Sequence, residues 1–444
     1  MVKKRVFSKM NNLKESKIFK LLMSTFLAKI CISFGGILLS FVIGNLYGIS
    51  VLGEFFIFQM AVITFGVILS LGMNETLVLF TSRYNGEVNI SQYFLYSALL
   101  SISLLFVLSF LFVQFEYDSF PKNYSIIVEN KIYYIFSTLS CLTNILLSGF
   151  MKGIKKPAHA VLLENGAVSI LCVIIALLDK SIYTNGEVNV AILYCYSSCF
   201  VTIIGVWIFR ENRIVGLRNP SKKELRLFFS KNWSFYSMVL CGLVSTSIIS
   251  LYIGYELTTV DVAIYRIMQQ ICVLISFSLI ILNAVMPAYI SGLFKEKSIT
   301  AIEKISIITS KYAITLSLPI YILCVVFPNE IVSIFGGETY FEPYLLIILA
   351  TAQLFNVSTG SVASILKMCG YEKELSNVVM ITSLISLISL FVLTPIYGLL
   401  GAIIASSSVL VLQNSISLYM AKAKLGISAA FYVRKNVNNE IKNS

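Results

Sequence analysis

Twelve apolar stretches recur along the chain, separated by shorter polar segments. Each stays apolar on nearly every side for about 20 residues, the length that an α-helix needs to cross the hydrocarbon core of a bilayer. The pattern therefore predicts an all-α, polytopic membrane protein with twelve transmembrane helices. The predicted spans are 21–46, 55–80, 92–115, 131–151, 159–178, 190–209, 233–254, 262–290, 306–327, 343–367, 376–396 and 399–420.

Basic residues mark one side of this predicted membrane protein. With both termini in the cytoplasm, 28 of the 34 Lys and Arg residues fall in cytoplasmic segments, three outside and three at membrane depth. A missed span would invert every later loop and destroy this bias, so the charge pattern supports both the span count and the orientation. Topology also accounts for the net charge of +12, and we expect no nucleic-acid partner.

A charged connection divides the spans into two sets of six. The predicted regions are a basic cytoplasmic tail (1–20), an N-terminal lobe with spans 1–6 (21–209), a cytoplasmic connection (210–232), a C-terminal lobe with spans 7–12 (233–420) and a cytoplasmic tail (421–444).

The starts of the second and eighth spans also resemble each other. Both have a small residue, an aromatic residue and a glutamine in the same order: Gly53, Phe55 and Gln59, and Ala263, Tyr265 and Gln269. Such a repeat predicts a substrate path at the interface of two equivalent halves.

The amino-acid composition also indicates a membrane protein without a metal or nucleotide site. The chain is 57% hydrophobic and 13% charged, with a mean hydropathy of +0.85; a soluble domain carries about twice that charged fraction. The nine cysteines fall mostly inside apolar runs, which predicts neither disulfides nor a metal site. No glycine-rich nucleotide-binding loop and no His/Cys cluster is present in the sequence, so we expect no catalytic residues and no bound cofactor.

Polar side chains inside predicted spans are the candidate substrate-binding residues, because a charge in hydrocarbon is costly and favours a wet cavity or a partner. Lys29 lies about eight residues, roughly 12 Å, into its span, and Arg266 shares a helix face with the glutamines that follow it. Snorkelling or an ion pair is the alternative for Lys29, and a cytoplasmic anchor is the alternative for Lys311. The predicted substrate-binding residues are Lys29, Gln59, Arg266, Gln269, Gln270 and Lys311.

Four acidic residues are candidates for coupling transport to H⁺ or Na⁺, because a carboxylate in the path can change protonation or bind the ion. The predicted ion-coupling residues are Glu54, Glu75, Glu164 and Asp261. Glu54 and Asp261 have an equally favoured alternative as helix-start acids. For Glu164, a structural role at the cytoplasmic end of its helix is the alternative.

Several segments, in order along the chain, resemble the polysaccharide transporter family, the Wzx-type flippases of the multidrug/oligosaccharidyl-lipid/polysaccharide (MOP) superfamily. The segments are YGISVLGEFFIFQ (47–59), LLSGFMKGIKKPAHA (146–160), VDVAIYRIMQQ (260–270) with NAVMPAYISGLF (283–294), PNEIVSIFGGETY (328–340) and IYGLLGAIIA (396–405).

The resemblance implies an MOP-type fold, with two six-helix lobes around a central cavity. It implies a flippase in the bacterial cytoplasmic (inner) membrane that moves undecaprenyl-pyrophosphate-linked oligosaccharide, an O-antigen or capsule repeat unit, to the outer leaflet by alternating access. The implied partners are the lipid-linked oligosaccharide, membrane lipids, a polysaccharide polymerase and a chain-length regulator.

Other functions fit the predicted twelve-span pattern less well. A MATE-like multidrug/cation antiporter is the main alternative, although cationic drugs favour an acidic cavity and the excess at membrane depth here is basic. A lipid II flippase would usually have fourteen spans, and a polysaccharide polymerase, an enzyme, would usually have one large outer loop. A passive channel or an assembly protein is not excluded by spacing.

Overall fold

The computed structural model describes residues 2–83, 89–114, 121–178, 183–184, 187–212, 218–336 and 342–427. This part of the chain is all-α apart from one antiparallel pair of two-residue strands, Tyr183–Thr184 and Glu187–Val188. The predicted fold class is therefore confirmed.

Nine helices in the described residues are long and apolar enough to cross a membrane, and the number is twelve if each of three bent helix pairs forms one span. This is the architecture of a multi-pass membrane protein. We number the spans as follows: 1, Met23–Tyr47; 2, Ile49–Leu69; 3, Ile90–Val113; 4, Lys131–Gly153; 5, Pro157–Glu164 with Ala167–Leu178; 6, Val190–Asn212; 7, Lys222–Glu256; 8, Thr259–Ile275 with Phe277–Asn283; 9, Ile299–Val326; 10, Pro343–Ser358 with Val362–Met368; 11, Glu372–Tyr397; 12, Leu399–Leu425.

Several helices extend or subdivide these spans. The helix of span 1 begins at Val2, so the predicted basic tail is helical. Spans 5 and 7 each contain a π-helical segment. The remaining elements are Met73–Arg83, a 3₁₀ turn at Lys122–Tyr124, Ser125–Glu129, Pro157–Val161, Leu162–Gly166 (π), Lys222–Leu243, Val244–Ile248 (π), Ile249–Glu256, Phe277–Lys295 and Pro328–Ser333.

The second predicted span differs from the helix observed. The sequence pattern placed it at 55–80, whereas the helix runs from Ile49 to Leu69 and a second helix begins at Met73. Leu71 and Gly72 between them have φ values of 49° and 74°. That left-handed backbone cannot continue an α-helix, so the apolar run is divided there.

The chain forms two compact units, which we call unit 1 (Met1–Ala263 with Phe335–Gly337) and unit 2 (Ile264–Ile334 with Glu338–Ser444). Span 7 belongs to unit 1, because its first helix packs on Met73–Arg83. Phe228 on that helix is fully buried between Phe80 and Tyr93, with ring centroids 5.2 Å apart in both pairs. The sequence pattern assigned this span to the C-terminal lobe, and the assignment of spans to moving lobes stays a prediction.

Span 4 lies at the centre of unit 1, where it packs against spans 2, 3 and 6. Aromatic side chains fill this core: Phe58 makes edge-to-face contacts with Tyr134 and Tyr194, and Phe55 does so with Tyr194, all with centroids 5.9 Å apart. Such contacts stabilise beyond the burial of apolar area alone.

Unit 2 has its own apolar core, which joins the helix Phe277–Lys295 to spans 9, 10 and 12. Met286, Ile302, Ile365 and Ala421 belong to this buried cluster. Outside both cores, large apolar side chains are exposed, as expected where lipid replaces water as the solvent. Examples are Leu99, Phe106 and Phe110 on span 3 and Tyr312 and Leu316 on span 9.

Candidate functional site

The N-terminus of span 8 is held by a reciprocal cap. The Thr258 N–H donates to Asp261 Oδ2 at 3.0 Å, and the Asp261 N–H donates to Thr258 Oγ1 at 3.2 Å. Two backbone donors that a helix start leaves open are satisfied in this way. These contacts support the helix-start role that was the alternative for Asp261, and ion coupling there stays a prediction.

Three predicted substrate-binding residues lie together on span 8. Arg266, Gln269 and Gln270 are each half-buried. The Gln269 Nε2 donates to the Tyr265 hydroxyl at 2.9 Å, and the Tyr265 side chain is almost completely buried. Because Arg266 precedes the two glutamines by three and four residues, the three side chains share one side of the helix. We call them the span 8 polar face.

Span 8 breaks two turns after this polar face. Thr259–Ile275 and Phe277–Asn283 meet at Ser276 with a bend of 57°. The Ser276 hydroxyl donates to the Val273 carbonyl at 3.0 Å, a side-chain bond that competes with the helical ladder and favours bending. Broken helices in transporters place freed backbone groups and polar side chains near the substrate or ion.

A chain of amide side chains leads from this break across spans 10 and 12. Gln353 Nε2 donates to Ser276 Oγ at 2.9 Å, and Asn356 Nδ2 lies 3.5 Å from Gln353 Oε1. Asn414 Nδ2 donates to Asn356 Oδ1 at 3.1 Å. The Thr359 hydroxyl shares its hydrogen between the Asn356 carbonyl at 2.7 Å and Asn414 Oδ1 at 3.2 Å. Thr359 ends the first helix of span 10, which then bends by 41°. This amide chain joins two helix breaks with neutral groups that can donate and accept hydrogen bonds.

The apolar pattern of the sequence does not reveal the amide chain. Each amide is a single polar residue within an apolar run, and a lone amide has no charge that would mark it. The available signals were weak: Gln353 and Asn356 lie three residues apart, and Gly360 follows Thr359 where the helix ends.

In unit 1, Glu164 lies at the break of span 5. Its two helices meet at 50°, and Glu164 itself has a non-helical ψ of −162°. Glu164 Oε1 accepts from Lys152 Nζ at 2.5 Å and from Ser148 Oγ at 2.8 Å, both on span 4. Asn144 lies one helical turn before Ser148 on the same face of span 4. This ion pair supports the structural alternative for Glu164, and ion coupling stays a prediction.

Lys29 lies away from the apolar face of span 1. At 100° per residue, Lys29 shares its side with Ser33, Gly36 and Ser40. The opposite side carries the exposed apolar residues Leu27, Phe34, Leu38 and Phe41. The Lys29 side chain is exposed. Lys29 therefore lies on a side of span 1 with small and polar residues, away from the large apolar side chains.

The remaining predicted residues lie at separate places. Lys311 is exposed at the edge of the lipid-facing side of span 9, which agrees with its alternative as an anchor. Gln59 is buried within the aromatic core of unit 1. Glu54 is half-buried at the start of span 2, and Glu75 is half-buried in the first turn of Met73–Arg83. The helix dipole favours an acid in the first turn, which applies to Glu75. Glu54 lies one turn further into a helix that begins at Ile49, so the helix-start alternative is not supported for Glu54.

Solved structures resemble this architecture over nearly its full length. Lipid II flippase MurJ, in an inward closed conformation, matches with a TM-score of 0.70 and 12% identity, over 91% of this chain and 87% of that one. A multidrug resistance MATE family transporter of the MOP superfamily, in an inward-facing conformation, matches with a TM-score of 0.67 and 14% identity, over 90% and 98%. The chain has the fold of MOP superfamily transporters.

A third structure with this MOP fold is a transporter from Pyrococcus furiosus Vc1 (DSM3638). It matches with a TM-score of 0.59 and 15% identity, over 92% of this chain and 95% of that one. The reverse polarity of its binding pocket is described as suggesting a different function. No protein-family model matches the sequence, and no curated protein does either. Identities this low establish the fold alone and leave the function to be argued from this chain's own residues.

Proposed function

We propose that this protein is a flippase, not an enzyme, that moves undecaprenyl-pyrophosphate-linked oligosaccharide from the inner to the outer leaflet of the bacterial cytoplasmic membrane. The observation that carries the proposal is the span 8 polar face, where Arg266 and two glutamines precede a helix break. The topology has both termini in the cytoplasm, as the distribution of Lys and Arg indicates.

The charge of the cargo supports this choice. A diphosphate in hydrocarbon is prohibitively unstable unless cations and hydrogen-bond donors replace its water. Arg266 supplies a fixed positive charge and a planar set of donors suited to phosphate oxygens. We assign the diphosphate to Arg266. Lys29, on the polar side of span 1, is a separate cation that we assign to the transport path of unit 1.

The glycan requires different chemistry from the diphosphate. Sugar hydroxyls both donate and accept hydrogen bonds, so neutral amides match them better than charges do. Gln269 and Gln270 supply such groups beside Arg266, and the amide chain supplies more of them within unit 2. This combination of one cation with several amides suits a phosphorylated glycan better than a hydrophobic cation.

The main alternative is a MATE-like multidrug/cation antiporter. It shares the fold, as the MATE family structures indicate. A cavity for cationic drugs needs exposed carboxylates, whereas Glu164 is neutralised by Lys152 in unit 1. The flippase proposal includes two further parts. H⁺ or Na⁺ drives the transport, and the flippase cooperates with a polysaccharide polymerase and a chain-length regulator.

Export of surface polysaccharide in a deletion strain tests the proposal. The strain is complemented with wild type, Arg266→Ala, Lys29→Ala or the control Lys304→Ala, a cation at the cytoplasmic end of span 9, and each protein's membrane abundance is measured. We expect Arg266→Ala and Lys29→Ala to accumulate lipid-linked glycan inside and to lose surface polymer, while Lys304→Ala restores export.

Two results would contradict parts of this account. Full export with both Arg266→Ala and Lys29→Ala would refute the assignment of the cationic path. A deletion strain with unchanged surface polymer but altered sensitivity to cationic drugs would refute the flippase and support the antiporter.

A further inference from the structure

The break in span 10 differs from an ordinary helix end. Gly360 has a φ of 62°, and its N–H donates to the Val357 carbonyl at 3.0 Å, one residue short of its helical partner. The carbonyl of Asn356 is instead capped by the Thr359 hydroxyl at 2.7 Å. The next helix begins at Val362. The carbonyl groups of 358–360 therefore lie outside the helical ladder, at the negative end of the first helix.

Two buried hydroxyls lie at this break without a hydrogen-bond partner among the described residues. Ser310 on span 9 is fully buried, and Ser361 is 3% exposed. A Cβ atom added to Gly360 would lie 2.0 Å from Ser310 Oγ, so that hydroxyl packs directly against the backbone of the broken segment. Ser361 occupies the N-cap position of the following helix, yet its hydroxyl makes no capping bond.

Ser310 and Ser361 differ from neighbouring hydroxyl side chains in their hydrogen bonding. Within an apolar helix, Ser and Thr ordinarily donate to a carbonyl one turn back. Thr309, next to Ser310, does so at 2.9 Å, and Ser417 on span 12 does so at 2.8 Å. Other buried hydroxyls also lack partners, but these two converge on one interrupted helix. Polar groups in such surroundings are normally satisfied, and a bound ligand is one way to satisfy them.

We propose that the break of span 10 is a binding site for Na⁺. The Ser310 and Ser361 hydroxyl oxygens and carbonyl oxygens of 358–360 are its ligands. A hard cation prefers oxygen ligands, and unwound backbone at a half-helix C-terminus is how transporters supply them. Ser310 is the twelfth residue of a 28-residue helix, which places the site deep within its span. The amide chain, which starts at Ser276, ends at the adjacent Thr359, so an ion here contacts the segment that joins both breaks.

Binding of the ion is independent of the cargo, whereas its role as coupling ion rests on the proposed function. Thermal unfolding of the purified protein in detergent therefore tests the site without a transport assay. NaCl is titrated against KCl and choline chloride at constant ionic strength, since a ligand that binds only the folded state raises Tm with its concentration. The proteins are wild type, Ser310→Ala, Ser361→Ala and the control Ser417→Ala, which removes a buried but satisfied hydroxyl.

We expect a saturable rise in the Tm of wild type with Na⁺ alone. The half-maximal Na⁺ concentration increases at least tenfold in Ser310→Ala and Ser361→Ala and stays unchanged in Ser417→Ala. Ser310→Thr, which keeps the oxygen, retains the response. Either alanine variant is sufficient if the other fails to fold.

The proposal is overturned if wild type shows no rise specific to Na⁺, or if both alanine variants keep the wild-type midpoint. It is also overturned if the variants change Tm equally in NaCl and choline chloride, because the hydroxyls would then hold water only. Na⁺ binding by a protein that restores no surface polymer would defeat the flippase and leave this site standing.

Discussion

Spans 2 and 8 begin with the same pattern, and they use it differently. Aligning Gly53 with Ala263 places Phe56 opposite Arg266 and Met60 opposite Gln270. Phe56 is almost fully buried and contacts Phe55 edge to face, whereas Arg266 and Gln270 are half-buried. The two helices share a framework, and one of them fills a core while the other carries polar groups.

If the two spans belong to a repeat, as the sequence pattern predicts, this difference indicates how its two copies diverged. In unit 1, apolar and aromatic side chains around span 2 stabilise the fold. In unit 2, the matching helix gives up that packing for a cation and two amides, followed by a break. Polar groups at membrane depth are destabilising unless they serve a path or find partners. We therefore expect the residues that contact the cargo to lie where span 8 departs from the apolar pattern of span 2.

The largest expected effect concerns the small residue of the shared pattern. A Cβ at Gly53 would lie 1.9 Å from the Thr259 carbonyl, and neither backbone can yield easily. We expect Gly53→Ala to destabilise by about 3 kcal/mol and to lose most folded protein. Size-exclusion chromatography of a fluorescent fusion measures the yield. Gly292→Ala is the control, because its Cβ would meet nothing within 4 Å; equal yields of the two variants would contradict this packing.

A smaller loss of stability is expected in the amide chain. Asn414→Leu removes the Asn414 donor from Asn356 Oδ1, while the Thr359 hydroxyl keeps the Asn356 carbonyl as its acceptor. An unsatisfied polar group costs about 1–3 kcal/mol, so we expect a loss of about 2 kcal/mol. Thermal unfolding measures it, with Leu410→Met as a control for bulk on the same helix. If Asn414→Leu is as stable as wild type, the amide chain does not stabilise the helix breaks of spans 8 and 10.

The functional difference between the repeats is tested by exchanging their residues. Arg266→Phe gives span 8 the residue of span 2, and we expect export to fall at least tenfold at normal abundance, about 1.4 kcal/mol. Arg266→Lys should keep part of the activity, because the charge remains but the planar donors do not. Surface polymer per unit of membrane protein measures both; full export by Arg266→Phe would remove the arginine from the path.

The smallest effect is expected at the ion pair of unit 1. The side chains of Lys152 and Glu164 are 33% and 43% exposed, so water screens their attraction. We expect Lys152→Met to lower stability by about 1 kcal/mol or less and to leave export within twofold. Thermal unfolding and export measure this. A severe loss of export with normal folding would instead make the pair part of the mechanism and restore Glu164 as a coupling residue.

The sequence pattern was sufficient to predict the membrane spans and insufficient to predict the side-chain contacts of the candidate site. Apolar run length and the sidedness of Lys and Arg predict the spans, because both are local properties that lipid enforces on every segment. The Lys152–Glu164 pair joins residues on either side of a loop, and a lone acid gives no sign of its partner. The contact between Ser310 and Gly360 depends on tertiary packing, and no periodicity reports that.

Translocation of lipid-linked oligosaccharide in proteoliposomes tests the central claim most directly. A polyprenyl-pyrophosphate oligosaccharide with a fluorescent glycan is placed in both leaflets, and a membrane-impermeant quencher reports the fraction that reaches the outside. We predict that wild type gives complete quenching, that Arg266→Phe gives only the half already outside, and that Lys304→Ala behaves as wild type. If wild type leaves the inner half protected but accumulates a cationic dye against an imposed ion gradient, the protein is an antiporter and this account is wrong.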